Sequence, residues 1–192
     1  KYTPTPGTLA LRQAVRKRLQ EDWGLDYTTE EIVVSGGGKP ILYVALKTLL
    51  NPGDEVIIPV PSFVCYGPLT EMAGGVPVYV ELKAENQFRL TPEQLKAAIT
   101  PRTKALVLPF PSNPTGGIME RQDLEALAQV LRDTEIMVVS DEIYAELTYG
   151  QRHVSMANLP DMYERTIVVN GFSKSYAMTG WRLGYACGPE PI

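Results

Sequence analysis

The sequence predicts an α/β fold, a three-layer α/β/α arrangement in which helices cover both faces of a seven-stranded, mainly parallel sheet. Two observations carry this prediction. Seven short runs rich in β-branched residues are mostly separated by segments with helical periodicity, which is typical of a parallel sheet. The chain has 192 residues without an internal repeat, a low-complexity segment or a linker, so we expect one domain over 1–192.

The first half of the chain contains the clearest helix. Leu11, Val15, Leu19 and Trp23 recur every four residues, which predicts a helix over Leu9–Trp23. The elements expected after it, in order, are a strand at 31–35, a helix at 39–50, a strand at 55–59, a helix at 63–73 and a strand at 76–80. Glycine and proline turns separate several of these elements.

The second half begins with a helix at 91–99, because Thr91 is a capping residue and Pro92 occupies the first helical position. The elements expected after it are a strand at 105–109, a helix at 120–132 and strands at 137–141, 166–170 and 183–187. These runs complete the seven strands of the predicted sheet.

The composition argues against several classes of partner. The chain has 18 basic and 22 acidic residues, a formal net charge of −4 and no long basic tract, so no nucleic-acid partner is expected. It contains neither a long apolar run nor a signal-peptide pattern, which predicts a cytoplasmic protein without a membrane partner. Cys65 and Cys187 are expected to be free thiols. His153, the single histidine, is expected in a surface loop, and no metal site is expected.

Lys174 is the first candidate functional residue. It lies between two serines directly after the predicted strand at 166–170. A lysine at the end of a buried strand, among small hydroxyl residues, can have its amine partly desolvated, which makes it more nucleophilic at neutral pH. Lys174 is therefore a candidate for Schiff-base chemistry.

Three further strand ends carry motifs. The strand at 105–109 leads into Ser-Asn-Pro-Thr-Gly at 112–116, the strand at 137–141 leads into Ser-Asp-Glu-Ile-Tyr at 140–144, and the strand at 31–35 leads into Gly-Gly-Gly-Lys at 36–39. Ligands of open α/β sheets bind outside the carboxyl ends of the strands. An amide, a carboxylate and a glycine turn are therefore expected to meet there.

Together with Gly-Phe-Ser-Lys-Ser-Tyr-Ala-Met-Thr-Gly-Trp-Arg-Leu-Gly-Tyr at 171–185, these motifs resemble the class I/II aminotransferases. These are fold-type I enzymes that use pyridoxal 5′-phosphate (PLP), and the resemblance covers essentially the whole chain from Tyr2 onward. It implies that the chain is the large, PLP-binding domain of the family. The segments that form the family's smaller domain, before Tyr2 and after Ile192, are expected to be absent from this chain.

The resemblance also implies roles for individual residues. Lys174 forms the Schiff base with PLP and moves the substrate proton, and Asp141 pairs with the pyridine nitrogen, where a carboxylate keeps the ring cationic. Asn113 and Tyr144 bind the O3′ of the cofactor, and Phe63 stacks on its ring.

The cofactor phosphate requires an anion site. The resemblance implies that Gly37, Gly38 and Lys39 form this site at the start of a helix, where backbone amides bind anions. Arg182 adds a guanidinium that can bind a phosphate through two hydrogen bonds, and Ser173 adds a hydroxyl.

Tyr2 matches a tyrosine that, in the family, reaches the phosphate bound by the neighbouring subunit, which implies a homodimer. The expected activity is transfer of an amino group between an amino acid and a 2-oxo acid. Alternatives on the same fold are a PLP-dependent C–S β-lyase, a decarboxylase or another fold-type I lyase. A non-enzymatic alternative is the PLP-binding effector domain of a transcription regulator.

Overall fold

The computed structural model describes residues 2–192, and its helices and strands follow the order expected from the sequence. The α-helices are α1 (Leu9–Trp23), α2 (Gly38–Leu49), α3 (Tyr66–Ala73), α4 (Pro92–Ala98) and α5 (Arg121–Leu131). The strands are β1 (Ile32–Ser35), β2 (Glu55–Val60), β3 (Val76–Glu81), β4 (Thr103–Leu108), β5 (Met137–Asp141), β6 (Thr166–Gly171) and β7 (Gly184–Cys187). The predicted α/β fold with a seven-stranded sheet is confirmed.

Two helix starts illustrate how local chemistry sets the boundaries. Helix α4 begins as expected, because the Thr91 hydroxyl accepts the Gln94 backbone N–H and the Gln94 side chain accepts the Thr91 N–H. Helix α3 begins at Tyr66, later than expected, because residues 61–65 are not helical and the residue before the helix, Cys65, provides no side-chain cap. Phe63 therefore lies in the segment before the helix.

One sheet contains all seven strands in the order β1-β7-β6-β5-β4-β2-β3. Strands β2 to β6 are mutually parallel, whereas β7 is antiparallel to its two neighbours, β1 and β6. The connection from β6 to β7 contains only a short 3₁₀ turn, Thr179–Trp181, so it does not form a helical crossover and β7 returns beside β6. The carboxyl ends of β1, β4, β5 and β6 therefore lie at one edge of the sheet.

At this edge, β1, β7 and β6 approach the start of α2. Gly184 of β7 pairs with Ser35 of β1 and with Gly171 of β6. A Cβ on Gly184 would lie only 2.7 Å from the carbonyl carbon of Gly37. Glycine at 184 therefore allows the loop before α2 to pack directly on β7. This packing places the amino end of α2 beside the segment that carries Arg182.

Side chains alternate between the two faces of the sheet, as strand geometry requires. In β4, Val107 packs with α2 and α3, whereas Leu106 packs with α4 and α5. In β6, Val169 packs with α2 and α3, whereas Val168 packs with α1. The sheet is thus covered on both faces by buried apolar side chains. Within residues 2–192, no helix combines the length and the apolar character needed to cross a bilayer.

Candidate active site

A cavity of about 210 Å³ opens at the carboxyl ends of β4, β5 and β6. Nine of the residues expected at the site line it, namely Gly38, Lys39, Phe63, Asn113, Asp141, Tyr144, Ser173, Lys174 and Arg182. Its other lining residues were not anticipated from the sequence and are Leu42, Cys65, Tyr66, Pro111, Ile143 and Thr179. A larger cavity of about 420 Å³ lies between β1, α2 and the end of the chain, and none of the expected residues lines it.

Asp141 is a buried carboxylate in the lining of the cavity. Its Oδ2 accepts a hydrogen bond from the hydroxyl of Tyr66 at 2.9 Å, and its Oδ1 accepts the backbone N–H of Ile143 at 3.3 Å. Burial raises the pKa of Asp141 to about 6, and these two hydrogen bonds oppose that rise. Asp141 is therefore a carboxylate at neutral pH, held in a fixed direction by α3 and by its own turn.

Lys174 follows β6 and lies within reach of Tyr144, with its Nζ 5.5 Å from the centroid of the Tyr144 ring. Lys174 lines the cavity but is exposed as a whole residue, so the expectation of a partly desolvated amine stays a prediction.

Asn113 and Tyr144 lie next to each other, with 3.5 Å between the Asn113 Nδ2 and the Tyr144 hydroxyl oxygen. They follow the ends of β4 and β5, which are neighbours in the sheet. This distance is at the upper limit for a hydrogen bond, so both polar groups keep most of their capacity to bind a third group.

Arg182 and Gly37 fit closely together. The backbone of Arg182 is left-handed, with φ of 52°, and its guanidinium donates to the carbonyl oxygens of Thr179 at 2.7 Å and Gly36 at 3.3 Å. A Cβ on Gly37 would collide with the Nη2 of Arg182, and the φ of 108° at Gly37 also favours glycine. Gly37 does not line the cavity, but its missing side chain creates the space for the guanidinium beside the amino end of α2.

Lys39 stands at the rim of the cavity over Phe63, with its Nζ 5.3 Å from the ring centroid. Both side chains are exposed. No carboxylate of residues 2–192 forms an ion pair with Lys39. The rim therefore has a positive charge that is available to an anionic ligand.

Two other expectations concern residues outside the cavity. Tyr2 is fully exposed and does not line it, so the contact expected of Tyr2 with a neighbouring subunit stays a prediction. His153 lies in a loop, but its side chain is only 9% exposed and pairs with Glu142, so the expectation of a surface residue is wrong. Across the described part of the chain, no group of three or more His, Cys, Asp or Glu side chains is arranged to hold a metal ion.

The cavity combines the groups that PLP requires. Gly38 at the amino end of α2 and the guanidinium of Arg182 could bind its phosphate, since both offer N–H donors. Phe63 offers an aromatic face, Asp141 a buried carboxylate and Lys174 a primary amine in the same cavity. The residues present therefore fit this cofactor.

Comparisons with known proteins agree with this geometry. The family model for aminotransferase class I and II matches residues 1–192. An aspartate aminotransferase from Geobacillus stearothermophilus is 52% identical over 194 aligned positions, which cover 100% of this chain and 49% of the relative. The chain spans about half the length of the curated relatives it matches.

Solved structures show the same similarity in three dimensions. The aspartate aminotransferase from Rhizobium meliloti superimposes with a TM-score of 0.97 at 44% identity, covering 100% of this chain and 48% of that one. An aromatic aminotransferase from Pyrococcus horikoshii gives a TM-score of 0.96 at 42% identity, covering 99% and 52%. With its strand-end motifs gathered in one cavity and its whole length matched by the family model, this chain belongs to the aminotransferase class I and II family.

Proposed function

We propose that this chain is the PLP-binding large domain of an enzyme that transfers an amino group between an amino acid and a 2-oxo acid. The observation that carries the proposal is the convergence of Lys174, Asp141 and Arg182 on one cavity. An amine, a buried carboxylate and a phosphate-binding guanidinium together suit a phosphorylated pyridine aldehyde. Membership of the aminotransferase family supports the same reaction.

When bound, PLP supplies an electron sink for the bonds at the substrate α-carbon. The protein's part is to bind, orient and move protons. Asp141, held by Tyr66 and the Ile143 N–H, would accept a hydrogen bond from the protonated ring nitrogen. Lys174 would attach the cofactor through its Nζ and later carry the proton of the substrate α-carbon.

The remaining residues would orient the cofactor. The hydroxyl of Tyr144 and the amide of Asn113 would bind the ring oxygen O3′, which their shared position at the ends of β4 and β5 allows. The amino end of α2, with Gly37, Gly38 and Ser173 nearby, would bind the phosphate together with Arg182.

An acidic amino donor such as aspartate is the substrate class we infer. The names of several relatives specify aspartate aminotransferase. The rim of the cavity also carries Lys39, whose charge no carboxylate of residues 2–192 neutralises. Lys39 can serve the cofactor phosphate or a side-chain carboxylate of the substrate, and these roles are separable by experiment.

The larger assembly follows from the family resemblance. We infer a homodimer in which the exposed Tyr2 of one copy reaches the phosphate of the other. The arginine that binds the substrate α-carboxylate is inferred to lie outside residues 1–192, in the small domain. The chain alone should then bind PLP but transaminate far more slowly than the full-length enzyme. A cytoplasmic location fits the two free, buried thiols, Cys65 and Cys187.

The decisive test is chemical trapping at Lys174. The protein is incubated with PLP, reduced with borohydride and digested, and the pyridoxyl mass is located by mass spectrometry. We expect the label on the Lys174 peptide, its loss in Lys174→Ala and its retention in Lys104→Ala, which removes a lysine outside the cavity. Labelling that survives Lys174→Ala would contradict the proposal. A screen of amino donors on the full-length enzyme separates transamination from elimination, because only transamination converts an added 2-oxo acid into a new amino acid, whereas elimination releases ammonia.

A further inference from the structure

Glu142 is a completely buried carboxylate directly after Asp141. Its Oε1 accepts hydrogen bonds from the Ser140 hydroxyl at 3.0 Å and the Ser155 hydroxyl at 2.6 Å. Its Oε2 lies 2.8 Å from the Nε2 of His153. A buried carboxylate is costly unless it is paired and hydrogen-bonded, and all of these partners are supplied here. The proposed reaction gives Glu142 and His153 no role.

The two adjacent carboxylates point to opposite faces of the sheet. Asp141 reaches Tyr66 of α3, whereas Glu142 lies on the side of α1, where the Trp23 ring packs edge-on against His153 with 5.8 Å between centroids. The backbone N–H of Glu142 continues the sheet by donating to the carbonyl of Val169 at 2.8 Å. The Glu142 side chain therefore holds, from the opposite face of the sheet, the backbone segment that directs Asp141 toward the cavity.

The charge of Glu142 also acts on Asp141, because a neighbouring negative charge contributes to the raised pKa of Asp141. Tyr27, Tyr185 and Cys187 also face Glu142, and burial raises the pKa of each well above its usual value, so these groups are neutral at physiological pH. Of the side chains that the structure describes, His153 alone both contacts Glu142 and can carry a positive charge.

On its other side, Asp141 faces neutral groups and cations. Burial raises the pKa of Tyr66 and of Cys65, which therefore stay neutral. The cavity also contains Tyr144 and the cations Lys39, Lys174 and Arg182. These groups stay the same when Glu142 or His153 is replaced, so the effect of the pair can be measured on its own.

We propose that Glu142 and His153 form a positioning pair for Asp141, in which His153 offsets the buried charge of Glu142 and so keeps the Asp141 carboxylate available to a cationic ligand. The cationic ligand is the protonated ring of the proposed function, on which this inference rests. Neither residue touches the cavity, so both act through Asp141.

The test is a double-mutant cycle read on Asp141 itself, in protein without cofactor. The carboxyl carbon of Asp141 is titrated by ¹³C NMR, and Asp141→Asn assigns its signal. Glu142→Gln keeps the shape of the side chain but removes the charge, so the titration midpoint of Asp141 should fall by about half a pH unit or more. His153→Gln keeps a hydrogen-bond donor but cannot be charged, so the midpoint should rise by a similar amount. The double variant should return close to the wild type.

Opposite shifts of the Asp141 midpoint in the two single variants indicate an electrostatic pair. A purely structural role would loosen β5 in both variants and shift the midpoint in the same direction. Shifts of the same sign, or no shift in either variant, would overturn the proposal. If a glutamine variant does not fold, the reciprocal titration decides. His153 is the only histidine, so its ring signals are unambiguous, and their titration midpoint should be lower in Asp141→Asn than in the wild type. Equal midpoints would reject the pair.

These readouts do not involve PLP. If Lys174 is not labelled but the two single variants shift Asp141 in opposite directions, the proposed function is rejected and the coupling of Glu142 and His153 to Asp141 stands. If Lys174 is labelled but the opposite shifts are not found, the coupling is rejected and the proposed function stands. If both hold, His153→Gln should also weaken PLP binding, whereas Glu142→Gln should not.

Discussion

The hydroxyl of Tyr66 donates a 2.9 Å hydrogen bond to the Oδ2 of Asp141 in the interior of the protein. Tyr66 is the first residue of α3 and Asp141 the last of β5, so the bond ties a helix on one face of the sheet to a strand end. Because the hydroxyl stabilises the carboxylate, Tyr66 limits the rise in the pKa of Asp141 that burial causes. The ability of Asp141 to bind a cation near neutral pH depends on this contact.

Asp141→Asn should stabilise the protein without cofactor at neutral pH. Burial raises the pKa of Asp141 from 3.8 to about 6, so the folded state holds the proton more tightly than the unfolded state. Well below pH 3.8, the carboxyl of Asp141 is protonated in both states and ionisation costs nothing. As the pH rises to about 6, the loss of folding stability caused by ionising Asp141 grows. Above pH 6 this loss is constant, at no more than about 3 kcal/mol.

This stability difference is measured by urea unfolding of Asp141→Asn and wild type between pH 4 and pH 8. The gain should be small at pH 4 and largest above pH 6. Asp133→Asn, which changes an exposed aspartate, is the control and should change stability little at any pH. A gain for Asp141→Asn that is independent of pH would show that ionisation of Asp141 is not its cause.

Tyr66→Phe should raise the pKa of Asp141 further, because the variant keeps the aromatic ring but removes the hydrogen bond that stabilises the carboxylate. Hydrogen bonds to charged groups contribute about 1.5–3 kcal/mol, which corresponds to a rise of about one to two pKa units. The ¹³C titration of Asp141 measures the rise. Tyr149→Phe, at a tyrosine that is 90% exposed, should leave the midpoint unchanged.

Gly37→Ala should displace the guanidinium of Arg182 and weaken phosphate binding. The new Cβ would collide with Nη2 of Arg182, and a φ of 108° is strained for alanine. Gly53→Ala is a matched control, since Gly53 also has a positive φ, 91°, but has nothing within 4 Å of the added Cβ. Both variants should lose about 1–3 kcal/mol of stability through strain.

Isothermal titration with PLP distinguishes the two glycines. The affinity for PLP should fall only in Gly37→Ala, by about tenfold or more if one charged hydrogen bond to the phosphate is lost. Equal affinities for Gly37→Ala and Gly53→Ala would mean that the fit between Gly37 and Arg182 does not serve the phosphate.

The elements of the fold were predictable because their signals are local. Short apolar runs, most of them rich in β-branched residues, marked the seven strands, and the motifs around Asp141 and Lys174 lie directly at strand ends. Parallel strands place such ends along one edge, so a sequence pattern was enough to predict that these residues meet. Helix α3 began later than expected, because a turn before Tyr66 has no strong signal in the residue types.

The pairings that tune the site were not predictable from the sequence, because they depend on how the layers pack. Tyr66 and Asp141 are 75 positions apart, and their contact requires α3 to dock on the end of β5. The His153 side chain is only 9% exposed, because the Trp23 ring of α1 packs edge-on against it, which no local pattern indicates.

Lys39→Met should separate the two roles open to Lys39, because methionine keeps most of the side-chain length and removes the charge. If Lys39 binds the side-chain carboxylate of the substrate, kcat/KM of the full-length enzyme for aspartate should fall about 10- to 100-fold, the effect of losing a charged hydrogen bond. The value for alanine, which has no side-chain carboxylate, should hardly change, and neither should the affinity for PLP.

A role at the cofactor phosphate predicts a different pattern. The values for aspartate and alanine should then fall together, and PLP should bind more weakly. Lys47→Met, at a lysine that does not line the cavity, is the control for a general loss of positive charge. We expect the selective loss with aspartate, because Lys39 lies over Phe63 at the open rim, whereas Arg182 already serves the amino end of α2. Unchanged kinetics with both donors would remove Lys39 from the site.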